Sequence, residues 1–182
     1  MSTSLLADAF RHHAWATRRA IDARLALTPD QMETSVPGTF GSISETMRHM
    51  VSSDAWYLFT LTDDRSHLID GAHLGLPELR AVVERNDAAW SLLLNSELDP
   101  DSVLTEVDDD DGYQKRAPIG IRLAQALHHG TDHRSQICTA LTALGMEPPA
   151  IDAWDFGIDE GRVIEIPPTP QLTGLPQTRP TL

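Results

Sequence analysis

A single cysteine, Cys138, serves this 182-residue chain, so no internal disulfide can form. A lone thiol outside any disulfide framework fits a reducing compartment. No apolar run approaches the ~18 residues that read as a bilayer crossing. Asp8, Arg11, Arg18 and Arg19 break up the N-terminal segment too early for a secretion signal. The expectation is a cytoplasmic protein with no membrane partner. Positive charge is also scarce: 14 Lys and Arg stand against 27 Asp and Glu, a formal net charge of -13. Such a surface repels a nucleic-acid backbone, and no nucleic-acid partner is expected. A phosphate-binding glycine loop, a dinucleotide fingerprint and a Ser-His-Asp set are all missing. The aspartate run at 108–111 lacks the alternating ligands and closing glutamate of an EF-hand loop and reads as a solvated turn.

Against these absences stand a hydrophobic content of 41%, enough for one globular domain, and four segments with a helical period. In the first, Leu6, Ala9, Phe10, His13, Thr17, Ala20 and Ile21 recur at spacings of three and four; Pro29 stops it at Leu27-Thr28. The second starts at a capping box, Ser42-Ile43-Ser44-Glu45, and carries Ile43, Met47, Met50, Val51, Leu58 and Leu61 to an end near Asp63-Asp64. A loop over 64–76 follows. Pro77, at a first-turn position, opens the third segment, whose inner face is Leu79, Val82, Val83, Asn86, Trp90, Leu93 and Leu94. The fourth runs from about Ile119 to Leu144, with Gly145 placed to cap it. Between the third and fourth, Val103–Val107 and Tyr113–Ala117 flank an Asp-Gly step and predict a β-hairpin. The expected fold is all-α: a four-helix bundle with a short hairpin or extended excursion between helices 3 and 4. The expected domain spans 1–160, with a short turn of helix near Trp154 and a proline-rich tail over 161–182.

The eight histidines carry the functional signal. His129 and His133 are four apart on the fourth helix, so their directions differ by roughly 40° and their heights by ~6 Å. Both rings can reach one ion, a geometry used for zinc and similar metals. Arg122, Ala126, Gln136, Ile137 and Ala140 extend the same face. Two unpaired imidazoles on such a face would cost roughly 1–3 kcal/mol each, a cost that a shared ion removes. His49, amid Met47, Met50 and Val51, is the candidate third ligand. His128 projects about 100° away from His129 and should not share the ion. His13 lies on the first apolar stripe and reads as a hydrogen-bonded core residue, whereas His67 and His73 read as solvated loop residues.

His49 with Trp56 seven residues on, and His129-Gly130-Thr131-Asp132-His133-Arg134-Ser135-Gln136-Ile137, together resemble the DinB/YfiT family of metalloenzymes, as does the ending Leu144-Gly145-Met146-Glu147-Pro148-Pro149. The likeness covers roughly residues 1–160. It implies a mononuclear site of three neutral histidines with open positions for water, in a protein that often pairs as a homodimer. Zinc or nickel is favoured as the metal, with iron and manganese open, and magnesium disfavoured by the nitrogen ligands.

Around that site, Glu45 and Gln136 are the candidate catalytic groups. Glu45 could be a general base or an acceptor for His49, although the capping box already accounts for it. Gln136 could hold bound water or bond within the core. Asp132 could orient His133, or simply be exposed. Arg134 reads as half of an ion pair across the bundle, with anion binding open. Trp56 could wall a pocket, and Cys138 reads as a small buried group. Two functions compete. One is an enzyme acting on a small-molecule substrate, a metal-dependent thiol transferase using a low-molecular-weight thiol such as mycothiol, or a hydrolase. The other is a non-catalytic stress-response module whose ion stabilises the bundle.

Overall fold

The computed structural model describes residues 5–107 and 112–168. The chain is mostly helical, with one small antiparallel pair of strands. Helix α1 spans Leu5–Asp22 and ends five residues before the expected stop, in a 3-10 turn over Ala23–Ala26. Pro29 keeps any helix from running through Thr28, which is held extended, and the Thr28 side chain and Gln31 form a capping box that starts a separate short helix, α2, Pro29–Met32. The capping box Ser42/Glu45 starts α3, Ile43–Thr62, which closes on Asp63 in the left-handed region at φ 56°. Helix α4 is Leu76–Leu94, with Pro77 in its first turn. Strands β1, Val103–Val107, and β2, Gln114–Pro118, pair in a register that sets Val103 opposite Pro118 and Glu106 opposite Lys115. The aspartate run at 108–111 lies outside the described residues.

Helix α5, Ile119–Ala143, follows the hairpin without a break, and Gly145 at φ 74° provides the left-handed turn after it. A last short helix, α6, Ala153–Asp159, is capped by the Asp152 side chain. The proline-rich stretch from 169 onward lies outside the described residues. Among the long helices, α1 packs on α4 and α5, and α3 packs on the same two.

Two apolar clusters fill the interior. One gathers Ile21, Met47, Met50, Val83, Ile137 and Leu141; the other gathers Phe10, Leu58, Trp90, Leu123 and Ala126. Along each long helix these clusters occupy opposite ends, and the turns between them carry polar residues. His13, Asp54, Asn86 and Arg134 meet there. Asp54 accepts from His13 Nε2 at 3.2 Å, Asn86 Nδ2 at 2.9 Å and Trp90 Nε1 at 2.9 Å. Burial opposes the charge on Asp54, yet His13 and these donors hold its pKa below the usual carboxylate value. Gly130 lets α5 approach α1 at this level, since a Cβ there would lie 2.3 Å from His13 Cε1.

Candidate metal centre

His49 comes from the second turn of α3, and His129 and His133 from the middle of α5. Because α3 and α5 pack together, the rings meet. His129 Nε2 lies 3.2 Å from His49 Nε2 and 3.1 Å from His133 Nε2. One nitrogen from each of the three residues falls within 4.8 Å of the others, and no further His, Cys, Asp or Glu among the described residues joins the group. Ligand nitrogens about 2.0–2.1 Å from a tetrahedral ion sit roughly 3.3 Å apart, so the two short separations match the edges of a metal-ligand face.

The donor chemistry agrees with the spacing. Gln136 Oε1 lies 3.1 Å from His133 Nδ1 and also accepts the Phe40 backbone N–H at 2.9 Å. A carbonyl oxygen can only accept, so His133 carries its proton on Nδ1 and turns the lone pair of Nε2 toward the other two rings. Burial, followed by the charges of His133 and His49, pushes the His129 pKa down to about 4. Burial and then His133 lower that of His49 as well. Both rings are thus held in the neutral form a metal requires.

Two aromatic side chains that the sequence pattern did not single out border the cluster. Phe40, in the loop before α3, stacks on His49 with centroids 4.0 Å apart and planes 11° from parallel, and presents an edge to His133. Tyr57 packs edge-on against His129 at 5.5 Å and accepts from Gln125. Trp56, the expected wall, donates its indole N–H to Glu106 at 3.0 Å, packs on Phe59 and borders a cavity, though away from the three histidines. Beside Tyr57 opens a cavity of about 520 Å³ between α3, α5 and the hairpin, bordered by Trp56, Glu106, Arg122 and Gln125.

The other candidates fall away from the cluster. Glu45 is exposed and its carboxylate accepts the Ser42 backbone N–H at 2.8 Å, as its capping role requires. Asp132 and His128 are exposed. His73 is exposed, as expected of a loop residue, but His67 is not. It is 7% exposed, at the end of the 3-10 turn Arg65–His67, and its Nδ1 has no hydrogen-bond partner among the described residues. Cys138 is half-buried, and burial raises its pKa, which disfavours the thiolate. Among the described residues Arg134 does not form the expected ion pair. Its Nη1 donates to His13 Nδ1, His13 O and Thr17 Oγ1, and its Nη2 to Thr131 Oγ1.

No helix is long and apolar enough to cross a membrane among the described residues. In comparison with known proteins, the chain matches the DinB family over residues 1–161. No curated protein matches it.

Proposed function

Because the chain belongs to the DinB family, we propose that its four long helices act as a four-helix bundle whose purpose is to hold one divalent transition metal on His49, His129 and His133. The observation that carries this reading is the convergence of three imidazole nitrogens with the outer nitrogen of one fixed by Gln136. Three neutral nitrogen ligands favour zinc or nickel over harder cations. The ion, when bound, supplies Lewis acidity that lowers the pKa of water or of a small thiol. The chain does the rest: Gln136 aims His133, Phe40 and Tyr57 shield the ligand rings, and the cavity on Tyr57, which none of the three histidines lines, is the space proposed for a substrate. With three candidate protein ligands and no fourth among the described residues, a position is left for chemistry, and a thiol S-transferase with a small thiol as co-substrate is the activity we favour.

The stacking of Phe40 over His49 favours a second reading, in which the covered ion only stabilises the bundle. Elemental analysis tests the metal itself. One equivalent per chain is expected in the native protein and none after His49→Ala, His129→Ala or His133→Ala, whereas His128→Ala retains it. Loss-free binding in the His129 variant would refute the site. Cobalt substitution then separates the two functions. A thiol that reaches the ion produces a thiolate-to-cobalt charge-transfer band, and consumption of thiol with an electrophile should stop on chelation. An absorption spectrum indifferent to every added thiol would leave the structural role.

A further inference from the structure

On the other side of α5 from the histidine cluster lies a second, open-mouthed cavity, of about 510 Å³, bordered by α1, α5, α6 and the segment after α6. Its surface is mainly apolar, with Ala9, Leu127, Phe156 and Val163 prominent. The segment that closes it is fixed: Arg162 N and Val163 N both donate to Gly157 O, and the Arg162 guanidinium is held by both carboxylate oxygens of Asp8. The volume falls within the range of about 300–1,000 Å³ typical of small-molecule sites.

Arg134 lines this cavity and is only 3% exposed. Its acceptors are an imidazole nitrogen, a carbonyl and two hydroxyls, none of which carries a charge. The buried carboxylate of Asp54 stands on the far side of the His13 ring, and its oxygens are taken by His13, Asn86 and Trp90. The other guanidinium bordering the cavity, Arg162, is already neutralised by Asp8. A buried cation without a directly bonded anion is costly, and a fold that retains one beside an apolar cavity leaves room for an outside anion to complete it.

We propose that this cavity binds a small organic anion, a carboxylate carried on an apolar body, with the carboxylate on Arg134 and the body against Leu127, Phe156 and Val163. His12 does not compete for it, since its Nε2 is engaged with Ile151 O at 2.9 Å. Hydrogen bonds to a charged group discriminate by roughly tenfold or more against a neutral analogue of the same shape.

Calorimetry on the full chain, with benzoate and its neutral analogue benzamide as probes, tests the site. Benzoate is expected to bind once per chain and benzamide at least about tenfold more weakly. Arg134→Gln should abolish the difference between the two. Ala153→Trp, at an exposed position on the cavity wall, should block both without touching the guanidinium, and decides the matter if Arg134→Gln fails to fold. His49→Ala, which removes the proposed metal, should leave benzoate binding intact, so that this proposal and the metal reading stand or fall separately. Equal binding of the two probes, no binding of either, or benzoate binding that survives Ala153→Trp would overturn it.

Discussion

Replacing Gln136 with leucine asks whether the outer nitrogen of His133 matters. Gln136 Oε1 accepts from His133 Nδ1 at 3.1 Å and from Phe40 N at 2.9 Å, so the substitution removes the acceptor that fixes the ring's tautomer and the tie that holds Phe40 over His49. Acceptors of this kind change metal affinity by about 10–100-fold, equivalent to roughly 1.4–2.8 kcal/mol. The effect on the metal-free fold should be smaller. Phe40 is 55% exposed and water can replace its lost partner, leaving about 1 kcal/mol from the His133 bond. The leucine variant should therefore bind zinc about 10–100-fold more weakly in competition with a chromophoric chelator, while the stripped protein loses no more than about 1 kcal/mol of urea stability. Gln136→Glu keeps an acceptor and adds negative charge near the ligand, and is expected to match or exceed the wild-type affinity. Leucine-variant affinity within about twofold of wild type would refute the role given to Gln136.

Two further outcomes follow from the polar interior. The lowered pKa values of His129, at about 4, and of His49 mean that the metal-free native state binds fewer protons than the unfolded chain below the free imidazole value of about 6.5. Stability from these rings is thus complete above about pH 6.5 and is lost as pH falls toward about 4, so urea denaturation should give a lower midpoint at about pH 4.5 than at about pH 7, with metal release in the same direction; a midpoint independent of pH would contradict the burial assigned to them. Asp54→Ala removes the common acceptor of His13, Asn86 and Trp90 and should cost about 2–4 kcal/mol in chemical denaturation, while a loss below about 1 kcal/mol would show that the network is not holding the interior together.

The histidine spacing on α5 was legible because helical geometry alone brings residues four apart together, and the Ser42/Glu45 capping box and Pro77 gave away where α3 and α4 begin. The aromatic surroundings were not. Trp56 lies seven residues after His49, roughly 20° from the same direction but about 10 Å further along the helix, and it meets the hairpin at Glu106 instead of the cluster. Tyr57, rotated about 100° from Trp56, faces α5 and reaches His129, a contact fixed by where α5 packs and not by any period within α3. Phe40 belongs to a loop, and no repeat pattern locates a loop residue over a ring contributed by a helix.

The polar layer did leave a trace in the sequence. Met47, Met50, Val51, Leu58 and Leu61 mark one stripe of α3, and Asp54 continues the same spacing between Val51 and Leu58. An acid there interrupts an apolar stripe, as His13 does in α1 and Asn86 in α4, and the three interruptions meet. On α5 the consecutive residues His133 and Arg134 point about 100° apart, one toward α3 and the histidine cluster, the other toward His13 and Thr17 on α1. A single helix register therefore sets both the candidate metal ligand and the cation of the opposite cavity. Gly130, one turn before Arg134, is what permits α1 to come close enough for that second contact, because any side chain at this position would meet the His13 ring. The motif His129–Gln136 is consequently more than a ligand pair with spacer residues: its histidines and glutamine build one face of α5, while its glycine, threonine and arginine build the other.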